Sequence, residues 1–203
     1  MSGSVLLASS LLLAVFFGAF YREKRQAYLL VWSVAWILIS ISFVLPLVGH
    51  VSSSPNVPLP EPGTAALNII AMRDWFLLVA ALTFVSAARL YAGHSPWTRP
   101  FVLVGTGAAG WAVAYSRGLV ILPVTIGAGV LLLLAARTFI HGGQKQDSRS
   151  DFLLALAFAA WGVLVLLAAI QPTTPSLTGL RLHPFVIVPQ FFAGVVMVMV
   201  LLG

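Results

Sequence analysis

Residues 65–91 read AALNIIAMRDWFLLVAALTFVSAARLY, an apolar stretch interrupted by three charged residues, Arg73, Asp74 and Arg89. A transmembrane α-helix needs about 20 consecutive, mostly apolar residues to cross the hydrocarbon core of a bilayer. The stretch exceeds that length and contains neither proline nor glycine. It therefore predicts a transmembrane helix.

The same pattern returns along the rest of the chain. With residues 65–91, the apolar segments are Ser4 to Phe20, Ala27 to Leu47, Ala65 to Tyr91, Pro100 to Tyr115, Leu119 to Ile140, Asp151 to Ile170 and Pro184 to Leu202. The chain is 60% hydrophobic and 8% charged, whereas soluble domains carry about 25% charged residues. Soluble enzymes, nucleic-acid-binding proteins and disordered regulators are therefore excluded. We expect an all-α polytopic membrane protein, a single bundle of seven transmembrane helices spanning residues 1–203.

Lysine and arginine residues predict the orientation, because cytoplasmic loops of membrane proteins are enriched in them. The larger set of loops and helix ends contains Arg22, Lys24, Arg25, Arg89, Arg99, Arg137, Lys145 and Arg149. The opposite set contains Arg73, Arg117 and Arg181. The larger set is predicted to be cytoplasmic. The N-terminus then lies outside the cell and the C-terminus inside.

The outer part of the third helix carries the first candidate binding residues. Arg73 and Asp74 lie within a predicted span, where charged side chains are costly and often functional. We expect Arg73, Asp74, Trp75 and Asn68 to contact a ligand, with Arg73 holding an anionic or carbonyl group. A structural ion pair is the alternative. Because adjacent residues diverge on a helix, each charge is expected to have its own partner.

One face of this helix is the most polar. It consists of Asn68, Met72, Trp75, Val79, Thr83 and Ser86, which share a face at helical spacing. We expect this face to point into the bundle, either joining helices or lining a pocket at its outer end.

Further polar residues cluster near the predicted outer mouth. Tyr115, Arg117, His183 and Gln190 complete the candidate ligand-binding set, beside prolines that free backbone carbonyls. The alternative is that Arg117 extends its charged end to lipid headgroups.

No metal or cofactor is predicted. The chain has no cysteine, and its four histidines, His50, His94, His141 and His183, are divided between the two predicted sides of the membrane. Metal sites need converging ligands. We do not expect this chain to be an enzyme by itself.

Small and aromatic residues predict the packing. Gly105, Gly127 and Gly129 would allow close approach, so the fourth and fifth helices are expected to pack tightly together. Trp36, Trp111 and Trp161 are expected to lie in the bundle core.

Two stretches resemble bacterial seven-helix sensor modules. Residues 22–36, REKRQAYLLVWSVAW, combine a basic run with Tyr-Leu, Trp and Ala-Trp, and residues 191–202, FFAGVVMVMVLL, are similar to the last helix of those modules. The resemblance implies a bacterial inner-membrane location. It also implies a cytoplasmic output domain after the seventh helix, either a histidine kinase or a GGDEF-type diguanylate cyclase. It implies no site residue.

We therefore expect a receptor domain that binds a small molecule or lipid in its outer half and signals through the seventh helix. Its partners would be membrane lipids and a second copy of the full-length protein, with no nucleic acid. The chain stops at Gly203, directly after an apolar run without a basic or polar anchor. We expect the native protein to continue into the cytoplasm.

Two other functions stay open. A small transporter with a 3+1+3 arrangement would need a polar site near the midplane, for which the sequence offers Thr83, Thr106 and Thr125. An intramembrane lipid hydrolase would need a base beside a nucleophile or an activated water, and Asp74 with His183 is the plausible pair.

Overall fold

The computed structural model describes residues 3–48, 63–116, 122–143 and 149–170, and within these ranges it contains helices, turns and short connections without a β-strand. The helices are α1 (Gly3–Lys24), α2 (Ala27–Val48), α3 (Ala65–Tyr91), α4 (Thr98–Ser116), α5 (Leu122–Gly143) and α6 (Arg149–Ile170). The predicted all-α class is confirmed for these residues. The seventh predicted segment lies outside them.

Two of the described helices are long and apolar enough to cross a membrane, judged by length and composition. The qualifying stretches are Ala27–Leu45 of α2 and Ala65–Tyr91 of α3. Shorter apolar stretches occupy Ile126–His141 of α5 and Asp151–Leu167 of α6. These stretches support membrane association, while the seven-span arrangement stays a prediction.

Local hydrogen bonds define both ends of α3. At its start, the Thr64 hydroxyl oxygen accepts a hydrogen bond from the Leu67 backbone N–H at 3.4 Å, which satisfies one of the unpaired donors of the first turn. At its end, the backbone N–H groups of Gly93 and His94 donate to carbonyls of the last helical turn. Gly93 has a φ of 76°, a left-handed conformation that glycine adopts at little cost. The turn carries His94 back toward the end of α3.

Helix α3 occupies the centre of the described bundle. It packs against α2, α4 and α5, while α1 packs against α2 and α6 packs against α5. Most of its middle and C-terminal half is buried, from Leu78 to Ala88. A displacement of α3 would therefore change its packing against three neighbouring helices.

The prediction that α4 and α5 pack tightly together is wrong. Helix α4 packs against α3, where a Cβ added to its Gly105 would meet no atom within 4 Å. The small residues of α5 instead face two other helices. A Cβ on Gly127 would lie 3.2 Å from Leu78 of α3, and one on Gly129 would lie 2.6 Å from Leu166 of α6.

Aromatic side chains fill the core between α2, α3, α5 and α6. The buried rings are Trp32, Trp36, Phe84, Phe139, Phe158 and Trp161. Trp36 and Trp161 stack with ring centroids 6.2 Å apart and planes 13° apart, and Phe84 meets both edge-on. The predicted core positions of Trp36 and Trp161 are confirmed, whereas Trp111 is half-buried beside the core. Such ring pairs add about 0.5–1.5 kcal/mol each, which matters in a bilayer because lipid supplies little hydrophobic drive for helix association.

Serine hydroxyls join α1 to α2. Ser33 donates to the carbonyl oxygen of Ala14 at 2.7 Å, and Ser40 lies 2.9 Å from Ser10 across the same interface. All three serines are buried. Hydrogen bonds of this kind between membrane helices contribute about 0.6 kcal/mol on average, so they help to fix the register of this pair.

Candidate functional site

Arg73 and Asp74 form an ion pair with each other. Arg73 donates from Nε and Nη2 to one carboxylate oxygen, Oδ1 of Asp74, at 2.8 and 2.7 Å. The Asp74 side chain is 9% exposed and that of Arg73 is 32% exposed. The expectation of separate partners is wrong, because the long arginine side chain reaches the neighbouring carboxylate although the two Cβ atoms diverge. The ion pair is thus local to α3 and joins it to no other helix.

Trp75 connects α3 to α4. Its indole Nε1 donates to the backbone carbonyl oxygen of Gly105 at 3.2 Å, and its ring is partly buried against the main core. The bond occupies a helix carbonyl that already serves the α4 ladder. Trp75 therefore positions α4 beside the ion pair.

The outer end of the predicted polar face does not point into the described bundle. Val79, Thr83 and Ser86 are buried as expected, but Asn68 is exposed and Met72 is 48% exposed. Helical spacing shows which residues share a face, but these residues are buried only where another helix packs against that part of the face. Asn68 therefore lies on the predicted outer part of α3, as the ion pair does, without a described contact to that pair.

The remaining predicted ligand-binding residues are not tested by the described structure. Arg117, His183 and Gln190 lie outside the described residues, and the side chain of Tyr115 does as well. An outer pocket that joins them to Arg73 is therefore a prediction.

The threonines offered for a transport site bond within their own helices. Thr83 donates to the Val79 carbonyl oxygen at 2.7 Å, and Thr106, which is exposed, donates to the Val102 carbonyl oxygen at 2.8 Å. The Thr125 side chain lies outside the described part of the chain. The hydroxyl protons of Thr83 and Thr106 are thus donated within their own helices, which is the usual behaviour of hydroxyls in membrane helices.

Sequence reasoning missed a hydrogen bond between α3 and α6. The Tyr91 hydroxyl donates to Oδ1 of Asp151 at 2.6 Å, and Asp151 is 5% exposed. Tyr28 of α2 meets the Tyr91 ring edge-on at 5.2 Å, and its hydroxyl donates to the Gln26 side chain. The sequence signal was present, since these residues lie at helix ends assigned to the inner side. Sequence alone could not show which ends are neighbours.

Sequence reasoning also missed a basic cleft at the same end of α3 and α5. Its cavity of about 280 Å³ is lined by Val85, Arg89, His94, Trp97, Leu134, Arg137, Thr138 and His141. Arg89 lies over the Trp97 ring, 5.7 Å from its centroid, and its Nε donates to the Ser95 carbonyl oxygen at 3.1 Å. His141 Nδ1 lies 2.9 Å from the Arg137 carbonyl oxygen. The available signal was that both arginines belong to the predicted inner set.

Within the described ranges, no three His, Asp or Glu side chains come together as metal ligands. Comparison of the chain with protein-family models, with curated proteins and with solved structures gives no match.

Proposed function

We propose that this chain is the membrane domain of a bacterial inner-membrane receptor, built from seven transmembrane helices with the N-terminus outside. A small molecule or lipid binds in the outer half, and the signal passes through the seventh helix to a cytoplasmic kinase or diguanylate cyclase that works as a dimer. The chain itself performs no catalysis. The resemblance of residues 22–36 and 191–202 to sensor modules motivates this proposal.

The observation that carries the proposal is the position of α3. Its outer part holds the Arg73–Asp74 ion pair, its middle is buried against three helices, and its last residue, Tyr91, bonds to α6. One continuous helix thus connects the candidate ligand residues to the predicted inner end of the bundle. A ligand acts on such an element only if it favours one of its arrangements over another.

The ion pair supplies a physical basis for that preference. A carboxylate or phosphate on the ligand competes with Asp74 for Arg73, which is the more exposed partner. Displacing Asp74 leaves a buried carboxylate without its charge partner, which is costly in a site of low dielectric. Movement of the outer part of α3 that exposes Asp74 to water relieves this cost, so the ligand-bound form has a different preferred packing.

The neighbouring helix ends support the predicted alternation of the spans. Tyr28, Tyr91 and Asp151 lie together, and all three occur at helix ends that charge distribution assigns to the cytoplasm. Alternating inward and outward spans would bring these ends to one side of the membrane.

The two rival functions have less support. The transport reading needs polar donors and acceptors at the midplane, and Thr83 and Thr106 each donate their hydroxyl proton within their own helix, which leaves their oxygens as acceptors only. The hydrolase reading needs Asp74 as a free base, whereas Arg73 donates two hydrogen bonds to its carboxylate. No described observation favours either rival.

A fusion experiment tests the receptor proposal. The chain is joined through Gly203 to a diguanylate cyclase domain, and cyclic-di-GMP is measured in cells exposed to decanoate, with decanol as the uncharged probe. We expect a response to decanoate whose half-maximal concentration rises about tenfold or more in Arg73→Gln, as loss of a charge-assisted hydrogen bond implies. Arg99→Gln, an exposed change on the opposite predicted side, is the matched control.

A second variant separates ligand contact from folding. Arg73→Gln leaves Asp74 unpaired and is expected to cost up to about 3 kcal/mol of stability. The double variant Arg73→Gln/Asp74→Asn removes both charges and should restore stability while the response stays weak. Equal dose responses in wild type and the double variant, or no response to decanoate in wild type, would contradict the proposal.

A further inference from the structure

We propose that the basic cleft between the end of α3, the α3–α4 connection and the end of α5 binds a phosphate group. The inference is separate from the outer ligand of the receptor proposal and rests on it only for the predicted cytoplasmic location. The cleft is defined by Arg89, His94, Trp97, Arg137 and His141 around a cavity of about 280 Å³.

The charge of the cleft is one-sided. Arg89 and Arg137 both line it, and no Asp or Glu is among the lining residues. The Arg73–Asp74 ion pair lies toward the other end of α3, away from this cleft. Two guanidinium groups of adjacent helices that approach one cavity repel each other, and an anion between them removes that repulsion.

Arg89 is held in place before any ligand arrives. Its Nε donates to the Ser95 carbonyl oxygen at 3.1 Å, and its guanidinium carbon lies 5.7 Å from the Trp97 ring centroid. Both partners, Ser95 and Trp97, lie in the segment that follows the turn at Gly93, so this turn places them beside Arg89. The terminal Nη atoms are outside the Ser95 bond, and a planar guanidinium fork matches two phosphate oxygens. A preordered donor loses less side-chain freedom on binding.

The second wall comes from α5. Arg137 and Thr138 line the cavity, and the His141 ring is oriented by the contact of its Nδ1 with the Arg137 carbonyl oxygen at 2.9 Å. If Nδ1 carries the proton in that contact, Nε2 is the atom that remains for a ligand. The Thr138 hydroxyl donates to the Leu134 carbonyl oxygen at 2.8 Å, so its oxygen still has capacity to accept. An acid phosphate with one proton suits this mixture of donors and an acceptor.

The helix dipoles oppose an anion here, because α3 and α5 both present their C-terminal, partially negative ends to the cleft. Each of those ends carries an arginine, however, and a full positive charge outweighs the half charge of a helix end. Without the arginines the cleft would favour cations. The phosphate site therefore depends on Arg89 and Arg137 together, and their removal is the decisive change.

Two sources share this chemistry, an anionic phospholipid headgroup and a soluble phosphate ester. The test uses native mass spectrometry of the full chain released from detergent micelles, with phosphatidylglycerol, phosphatidylcholine or glycerol 3-phosphate added separately. We expect an adduct that is about tenfold or more weaker in Arg89→Gln/Arg137→Gln, since two charge-assisted contacts are lost. It should also weaken as salt approaches about 1 M, where charges are screened within about 3 Å.

The control removes the same charge from the same predicted side. Arg22→Gln/Arg99→Gln changes two exposed arginines outside the cleft and should keep the adduct. Arg89→Lys keeps the charge but loses the planar fork and the flat contact with Trp97, so we expect weaker binding in a variant that folds normally. An arginine-dependent adduct with phosphatidylglycerol assigns the site to lipid, and one with glycerol 3-phosphate assigns it to a soluble ester.

Equal adducts in wild type and Arg89→Gln/Arg137→Gln, or none in wild type with any probe, would overturn the phosphate site. Labelling of an introduced cysteine at Ser95 on the same preparation reports the side of the membrane independently. A reversed orientation would refute the receptor topology and leave the adduct result to stand by itself.

Discussion

The contact between α5 and α6 gives the sharpest stability prediction. A Cβ added to Gly162 would lie 2.9 Å from the Gly129 carbonyl oxygen and 3.0 Å from Cγ of Leu133, whereas ordinary contact begins at 3.4 Å. In Gly162→Ala the nearest obstacle is backbone, which cannot rotate away as a side chain can. The two helices must therefore separate by about 0.5 Å, the difference between the 2.9 Å and 3.4 Å distances.

The free energy of this change has two parts. Forcing an extra methyl group into a packed interior costs about 1–3 kcal/mol. Alanine has a helix propensity about 1 kcal/mol more favourable than glycine, which offsets part of that cost. We therefore expect Gly162→Ala to lower the free energy of unfolding by up to about 2 kcal/mol.

The assay is unfolding of the purified chain in dodecyl maltoside, followed by circular dichroism during titration with a denaturing detergent. Gly107→Ala of α4 is the matched control, because its new Cβ would meet nothing within 4 Å. It should equal or exceed the wild type in stability, by up to about 1 kcal/mol. If Gly162→Ala is as stable as Gly107→Ala, the close approach of α5 and α6 is refuted.

Three further predictions follow from single contacts. Tyr91→Phe removes the donor to buried Asp151 and should cost about 1–3 kcal/mol, measured by the same unfolding titration, whereas an unchanged midpoint would contradict the bond. Trp75→Phe removes the indole donor to α4 and should cost about 1 kcal/mol, with faster proteolysis of α4; unchanged stability and cleavage would argue against this attachment. The chain has no cysteine, so single introduced cysteines report the side of the membrane. Ser54→Cys, on the predicted outer side, should react with an impermeant maleimide in intact cells, whereas Ser95→Cys, on the predicted inner side, should react only after permeabilisation. The reverse labelling pattern would show that the predicted topology is inverted.

The helices were predictable because apolar length is a strong signal. The predicted third segment and α3 share the bounds Ala65 to Tyr91, and the starts of α2 coincide at Ala27. Differences at other ends follow from capping and loop geometry, which composition does not encode. Helix α1, for example, runs to Lys24 rather than to Phe20, because charged residues can continue a helix at an aqueous end.

Helix neighbours were less predictable. Gly105 of α4 and Gly129 of α5 both permit close approach, yet Gly129 meets α6 and a Cβ on Gly105 meets nothing. A small residue indicates that another helix can approach closely, but it does not identify which helix does so. Which helices pair depends on how well their whole surfaces fit together, and this fit cannot be deduced from a single sequence.

The sequence named the residues of the candidate site but not their arrangement. Charge within an apolar span singled out Arg73 and Asp74, but the bond between them depends on a side-chain rotamer that helical spacing ignores. Asn68 was expected inside and is exposed, because the face argument assumed a neighbour along the whole helix. The basic cleft was not predicted because Arg89 and Arg137 are 48 positions apart in the sequence, and each alone resembles a membrane anchor.

The two ends of α3 differ in a way that bears on how the proposed receptor would work. At the outer end the charged groups bond within α3, so the ion pair can open without breaking a bond to another helix. At the inner end the Tyr91 hydroxyl bonds to α6, beneath a buried aromatic cluster that resists displacement. Asp151 is 5% exposed, so little water reaches it to replace the lost hydrogen bond, and breaking this contact also separates two helices. Ligand-driven movement of α3 should therefore pivot about its inner end, and Trp75 makes α4 the helix that follows the outer end.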